Sequence, residues 1–203
     1  VVIFLQVQDF PAFRAMNEAA FDQYQRWKPR QVDPSVPVAV VDIDEASLSE
    51  LGQWPWPRTE MAELILRLTQ LGALSIAFDV VVAEPDRTSP SKYDPSANAT
   101  LDDSLRDHDL VFADMISQTP TVLGVVVANN TAGSRPPVKA GVSYSGSDPR
   151  SVIPDFSGAT INLPVLSDNA SGVGNFSLGA ERAEVIRRVP LLTRIEDTKV
   201  PTL

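Results

Sequence analysis

The sequence predicts an α/β fold of three layers, with a mainly parallel central sheet, flanking helices and an antiparallel edge near the C-terminus. Strand-length apolar runs recur along the chain, segments with helical spacing separate them, and an apolar run that contains proline lies near the end. Continuous Val-rich runs suit strands that are buried on both faces. Strands that alternate with helices form parallel βαβ units. We expect residues 1–203 to form a single domain, a normal size for one.

The first predicted element is a helix over residues 11–28. Its apolar residues recur at steps of three and four and form one stripe, which consists of Phe13, Met16, Ala20, Tyr24 and Trp27. We expect this stripe to face the core, and Phe10 and Phe21 to form a second, exposed apolar strip. We expect residues 1–10 to be the end of a membrane-spanning helix or a linker, or else a strand or frayed end of a soluble domain.

A βαβ unit follows. The run VPVAVVDI at 36–43 predicts a central parallel strand, and a short helix is expected over 45–51. The clearest helix of the chain comes next, with Thr59 as its N-cap and Gly72 as its stop. The run ALSIAFDVVVA at 73–83 predicts a second buried strand. The crossover between the two strands should be right-handed.

The second half of the chain alternates loops with two further strands. Residues 84–109 are rich in proline and acids, which predicts a surface loop that leads into a helix. The run TVLGVVVA at 121–128 predicts a third buried strand. Residues 129–159 predict a long excursion over the surface. The run VIRRVPLLTRI at 185–195 contains a proline and therefore predicts an edge or bulged strand.

Composition excludes several classes of function. The chain has 17 Lys and Arg against 26 Asp and Glu, a formal net charge of −9. Affinity for nucleic acid that is independent of base sequence needs clustered basic residues, so we expect no nucleic acid partner. The absence of cysteine excludes a disulfide framework, a thiolate nucleophile and a Cys-ligated zinc, and fits either the periplasm or the cytoplasm. The single histidine excludes sites that need two imidazoles. We expect no cofactor and no metal.

Two acids mark the end of the first predicted strand. Asp42 and Asp44 flank Ile43, so both carboxylates would lie on one face where the strand meets its loop. Ligands bind at that edge of open α/β sheets. The two carboxylates could hold a divalent cation or raise each other's pKa. Alternatively, Asp44 caps the next helix and Asp42 pairs with a basic residue such as Arg58.

The stretch QWPWPR at 53–58 predicts a rigid corner. Its prolines fix the backbone, and Trp54, Trp56 and Arg58 supply flat apolar area and a guanidinium. We expect Arg58 to form a charge cluster with Asp42 and Asp79, the acids at the ends of the first two predicted strands. We expect a ligand to bind between the indoles and the loop over 84–94, above that cluster. Alternatively, the indoles plug the sheet and Arg58 is a structural ion pair. The candidate ligand-binding residues are Asp42, Asp44, Trp54, Trp56, Arg58, Asp79 and Glu84.

The hypothesis that the chain is an enzyme has weaker support from these residues than the hypothesis that it binds a ligand. A strand followed by Asp42 and Asp44 resembles the haloacid-dehalogenase-type phosphatases, with Asp42 as nucleophile and Asp44 as general acid. That motif expects Thr or Val where this chain has Ala46. His108 lies between two aspartates at a predicted helix start, and we interpret it as a solvated surface residue. We expect no catalytic residue in this chain.

Four motifs together resemble a known family of sensory domains. They are VAVVDIDEASLSELGQWPWPR at 38–58, IAFDVVVAEPD at 76–86, Gly174-Asn175, and VIRRVPL at 185–191. This combination resembles the second type of the CHASE domains, which are named for cyclases and histidine kinases with extracellular sensing modules. The matches cover nearly the whole chain. One departure is the stretch over 179–184, which lacks the Asp-Gly pair that the family often has before its Ile-Arg-Arg segment.

The resemblance implies a periplasmic or extracellular sensory domain of a bacterial inner-membrane receptor. Such a domain relays a stimulus to a cytoplasmic output module, which is a class III adenylate or guanylate cyclase, a histidine kinase or a diguanylate cyclase. It implies membrane attachment through segments outside this chain and a homodimer in the full-length receptor, with the first helix as membrane-proximal lever. The stimulus is a small molecule or a protein that the resemblance leaves unidentified. The resemblance supplies no catalytic residues.

Overall fold

The computed structural model describes residues 11–31, 33, 35–90, 106–129, 134–177 and 186–203. The chain falls into two compact units, Val1–Glu45 and Ala46–Leu203. The predicted membrane-proximal end, residues 1–10, lies outside the described residues. The prediction of one domain over 1–203 stays a prediction.

The first unit contains the predicted helix, α1, which spans Pro11–Trp27. The stripe that was expected to face the core is exposed, with Tyr24 at 66% and Trp27 at 73% of full accessibility. By contrast, the polar residues Glu18 and Asp22 are partly covered. The prediction of a core-facing stripe is therefore wrong, because spacing defines a stripe without defining what covers it. Phe21 is exposed as expected.

The predicted central strand over 36–43 does not form. Its valines are exposed, with Val38 at 77% and Val40 at 90%, and the run has no partner strand in the described part of the chain. Pro37 lacks a backbone N–H, which removes one ladder donor. A strand depends on a neighbour as well as on β-propensity. The short helix α2, Glu45–Leu51, follows as predicted.

The second unit is built on a four-stranded sheet. Strand β2, Thr121–Ala128, lies at its centre and agrees with the predicted third strand. Strand β1, Ile76–Phe78, and strand β5, Gly172–Asn175, pair with its first half in parallel. Strand β4, Gly158–Thr160, pairs antiparallel with its second half. The predicted α/β class with a mainly parallel sheet is confirmed.

Strand β1 is shorter than the predicted strand over 73–83. After Phe78 the chain leaves β2, because Asn162 takes the place that a neighbouring strand would have. The Asn162 side chain accepts a hydrogen bond from Val82 N at 2.7 Å and donates one to Gly124 O at 2.8 Å. Leu163 N donates to Val82 O at 2.7 Å. An interruption of this kind depends on residues 80 positions apart, which strand-length apolar patterns do not reveal.

Three helices of the second unit pack in sequence. Helix α3 spans Arg58–Gln70, α4 spans His108–Ser117 and α5 spans Pro164–Asn169. Helix α3 packs against α4, and α4 against α5. The Phe78 ring of β1 meets Phe112 of α4 edge to face, with centroids 6.0 Å apart. These contacts bury the apolar faces of α3 and α4, which the sequence predicts. Helix α5 is not predicted from the sequence.

A second sheet forms the antiparallel edge near the C-terminus. Strand β6, Leu192–Ile195, and strand β7, Thr198–Pro201, make a hairpin, and β3, Asp155–Phe156, pairs with β6 in parallel. The predicted strand over 185–195 is thus confirmed only in its last four residues, and 178–185 lie outside the described residues. The buried residues that join the two sheets are Val125, Val127, Ala159, Val173, Ile195 and Val200.

Gly124 tests the packing at the centre of the main sheet. A Cβ at this position would lie 2.5 Å from Phe78 O and 2.5 Å from Phe176 Cδ1. We expect Gly124→Ala to lower the free energy of unfolding by about 2 to 3 kcal/mol, because one contact is with backbone that cannot rotate away. Urea unfolding followed by tryptophan fluorescence measures this change. Gly141→Ala, with open space around its Cβ, is the control, and equal effects of the two substitutions would contradict the expectation.

Candidate functional site

Arg58 opens helix α3 as a buried cation. It is 8% exposed, its Nη2 donates to Glu84 O at 3.2 Å, and its Nε lies 3.4 Å from Asp109 Oδ1. The predicted pairing with Asp79 is wrong: Asp79 is exposed and is not an ion-pair partner of Arg58. The sequence predicts that Arg58 pairs with acids, but the acid it contacts belongs to α4. Asp42 belongs to the first unit, so its part in the cluster stays a prediction.

Asp86 is the acceptor that holds three segments together. One carboxylate oxygen accepts from Arg58 N at 2.7 Å and lies 3.2 Å from His108 Nδ1. The other accepts from Thr88 N and Thr88 Oγ1, both at 2.8 Å. Its own backbone N–H donates to Asp109 Oδ2 at 2.9 Å. Asp86 thereby caps α3 from a distance, and the predicted N-cap, Thr59, lies inside the helix, whose cap residue Pro57 offers no side-chain bond.

His108 is held at the start of α4 and faces Asp86. Its side chain is 13% exposed, and its backbone N–H donates to Ser89 Oγ at 3.1 Å. Its Nδ1 also lies 3.3 Å from Thr88 Oγ1. The interpretation of His108 as a solvated residue is therefore wrong, although α4 begins at His108 as predicted. We call Arg58, Asp86, His108 and Asp109 the Arg58 cluster.

The two carboxylates of the Arg58 cluster differ in their electrostatics. Burial by itself raises the pKa of Asp86, but hydrogen bonds from Arg58 N, Thr88 and His108 outweigh burial, and the pKa is lowered. Burial raises the pKa of Asp109, and the bond from Asp86 N and the charge of Arg58 offset this only in part. Asp86 is thus held as a charged acceptor, whereas Asp109 is buried at an energetic cost.

The two tryptophans form the predicted corner. Their rings meet edge to face with centroids 5.5 Å apart. Trp56 is 7% exposed and its Nε1 donates to Gly52 O at 2.8 Å, which is the structural role the sequence left open. Trp54 is half-buried. Binding of a ligand against these indoles stays a prediction, because residues 91–94 of the expected loop lie outside the described residues.

The remaining candidates, Asp42, Asp44 and Glu84, all lie at exposed positions. Asp42 is exposed and follows no strand, so the geometry of a dehalogenase-type nucleophile at a strand end is not formed. Asp44 directly precedes α2, as a capping residue would. Glu84 is exposed and contributes its backbone carbonyl to Arg58. Within the described residues, no group of three metal-ligating side chains is present.

Sequence reasoning missed Asp86, His108 and Asp109 as members of the site. Asp86 belongs to the EPD motif that carries the family resemblance, so the motif itself was a signal. Asp107, His108 and Asp109 lie together at a helix start, where Asp107 accepts a hydrogen bond from Asp109 N at 2.9 Å. The partners within the Arg58 cluster are 22 to 51 positions apart, except for neighbours in the chain. Local spacing carries no information about such pairs.

Removal of Arg58 tests whether the cluster is a coupled unit. We expect Arg58→Ala to lower the free energy of unfolding by about 3 kcal/mol, because it leaves the buried Asp109 carboxylate unpaired. Adding Asp109→Asn should recover part of this loss, so the double variant is less destabilised than the sum of the single ones. Urea unfolding of the four proteins gives the coupling. Arg150→Ala, which removes an exposed ion pair with Asp148, should match the wild type. Strict additivity at Arg58 and Asp109 would show that the pair is not coupled.

Comparison with known families agrees with the motifs. The sequence model of the CHASE2 domain matches residues 1–203, the full length of the chain. No curated protein and no solved structure matches the chain. A search of the described residues finds no helix with the length and apolar character needed to cross a membrane. The chain belongs to the CHASE2 domain family, the extracellular sensory domains of signalling receptors.

Proposed function

We propose that this chain is the periplasmic sensor of a bacterial inner-membrane receptor and controls a cytoplasmic class III adenylate or guanylate cyclase, or else a histidine kinase. The match of the CHASE2 model to the whole chain carries this proposal. The absence of cysteine is compatible with an oxidising compartment. The chain itself performs no chemistry in this proposal. The chain responds to the stimulus by a change of conformation.

The Arg58 cluster is the element of the second unit that suits a two-state response. It joins the start of α3, the loop after β1 and the start of α4 through a few buried charges. A buried charge is stable only with its partners in place, so small displacements carry a large electrostatic cost. A stimulus shifts such an equilibrium only by binding the two arrangements with different affinity.

The proposed receptor acts as a homodimer through α1. The apolar side chains of α1 that recur at steps of three and four are exposed: Phe13, Met16, Tyr24 and Trp27. An exposed apolar stripe of this kind marks an interaction surface. A second copy of α1 suits it, because Arg14 and Arg26 balance Glu18 and Asp22, so the net charge of the helix adds no repulsion. Membrane attachment outside this chain raises the effective concentration of the two copies.

Expression of the full-length protein in bacteria that lack their own adenylate cyclase tests the proposed output. We expect intracellular cyclic AMP to appear, and Asp86→Asn to change its level about fivefold or more, the range of ordinary allosteric coupling. Asp148→Asn is the matched control, because Asp148 is exposed and is bonded to Arg150 of its own turn and, within the described residues, to no other segment. If neither a cyclic nucleotide nor phosphotransfer depends on the protein, the proposed output is wrong.

A charge within the α1 stripe tests the dimer. We expect Tyr24→Glu to reduce association of the isolated 203-residue chain in analytical ultracentrifugation at high concentration, because it places a charge in the apolar contact. The neighbouring Gln25→Glu adds the same charge on another face of α1 and should leave association unchanged. A wild-type chain that stays monomeric at every concentration, or equal effects of the two variants, would argue against α1 as the dimer surface.

A further inference from the structure

A cleft of about 360 Å³ opens beside the chain that follows β1. Its walls come from the residue before Glu84, from the segment after 133, from β4 and from the start of α5. The lining residues are Ala83, Ser134, Ala159, Thr160, Ile161, Asn162, Leu163 and Pro164. The volume falls within the range of small-molecule sites, about 300 to 1,000 Å³. The two indoles are not among these residues.

The lining residues define the chemistry of a molecule that would fit. None of the eight carries a formal charge. A charged ligand would therefore lose its hydration without an opposite charge from these residues. Ser134 and Thr160 contribute hydroxyl groups, whereas both polar atoms of the Asn162 side chain are already bonded to backbone. The cleft thus suits a small, mainly apolar molecule with one or two neutral polar groups.

The cleft and the Arg58 cluster share one short piece of chain, residues 82–86, which we call the linking segment. At its start, Val82 is held by Asn162 and Leu163, which also line the cleft. At its end, Glu84 O and the Asp86 carboxylate are held by Arg58. Ala83 lies between the two anchors and forms part of the cleft wall. A molecule in the cleft therefore contacts the segment only three residues before Asp86.

We propose that the cleft binds a small uncharged organic molecule with a hydroxyl or amide group, and that binding is transmitted along the linking segment to Asp86. This proposal rests on the sensory function proposed above and supplies its ligand class and entry point. Differential contact with Ala83 in the two arrangements of the linking segment is the source of the response. Arg58 N and the start of α3 receive the displacement, because Asp86 caps them.

Nuclear magnetic resonance of the ¹⁵N-labelled chain tests the proposal with cyclohexanol as probe. We expect cyclohexanol to shift the amide signals of Ala83 and Thr160, and those of Arg58 and Asp86 along the same titration curve. The charged analogues cyclohexanecarboxylate and cyclohexylammonium should bind at least about tenfold more weakly, because the lining residues provide no counter-charge. The matched probes share the ring and differ in the polar group alone.

Two alanine-to-leucine variants locate the probe. Ala83→Leu fills the cleft from an exposed position and should weaken cyclohexanol binding about tenfold or more, because the added side chain takes up the space of the ring. Ala140→Leu makes the same change at an exposed position outside the lining residues and should leave binding unchanged. Equal weakening by both variants would overturn the assignment to the cleft.

Three further outcomes would overturn the proposal. Shifts of the Trp54 and Trp56 indole signals without shifts of Ala83 and Thr160 would place the site at the tryptophan corner. An equal response to all three probes would show nonspecific association. Shifts confined to Ala83 and Thr160, with Arg58 and Asp86 unmoved, would show binding without transmission. The titration measures binding to the isolated chain and does not depend on a cytoplasmic enzyme. A negative titration can therefore be distinguished from a full-length receptor that produces no second messenger.

Discussion

The buried guanidinium of Arg58 is the constraint on which the second unit depends. A cation at 8% exposure must be compensated, and the compensation comes from a carbonyl and a carboxylate on two other segments, Glu84 and Asp109. The backbone N–H of Arg58 has no acceptor within the helix, because it lies in the first turn, and it donates to Asp86 instead. Thus one position joins the start of α3 to the loop after β1 and to the first turn of α4. Apolar packing between α3 and α4 is then possible, because both helix starts are already placed.

At the other end of the linking segment, the anchor is a set of hydrogen bonds between uncharged groups, in contrast to the charged Arg58 cluster. Asn162 bonds Val82 on one side and Gly124 on the other, so the chain departs from β2 while its backbone groups stay satisfied. The two anchors differ in kind. The hydrogen bonds of the Asn162 side chain join uncharged groups and do not depend on pH. The Arg58 cluster instead contains formal charges, and the energy of each charge depends on the distance to the others. A displacement of residues 82–86 therefore changes the energy of the hydrogen bonds at Val82 less than the energy of the charged contacts at Asp86, which depends on small changes of distance.

Prediction from the sequence succeeded where local pattern determines structure and failed where distant partners do. Strand β2 was predicted to the residue, because its buried run carries its own pairing propensity and lies at the sheet centre. Helix α1 was predicted within one residue, but the environment of its stripe was not. The run over 36–43 is also rich in valine but forms no strand, since β-propensity does not supply a neighbour. For the candidate site, Arg58 was predicted as a paired cation, while its partner Asp109 was missed because 51 positions separate them in the chain.

The two carboxylates of the Arg58 cluster differ in how fully they are hydrogen-bonded, and the less fully bonded one is the part of the cluster that can rearrange. Asp86 receives bonds from Arg58 N, Thr88 and His108, and its pKa is lowered. Asp109 faces Arg58 at 3.4 Å, neither Arg58 Nε nor Asp109 Oδ1 has a hydrogen bond within the described residues, and burial raises the pKa of Asp109. An arrangement that shortens this pair gains a charge-assisted hydrogen bond, whereas one that opens it lets water reach Asp109. In the response proposed above, the Arg58–Asp109 pair is therefore the contact that changes, and Asp86 passes the displacement to it through Arg58 N.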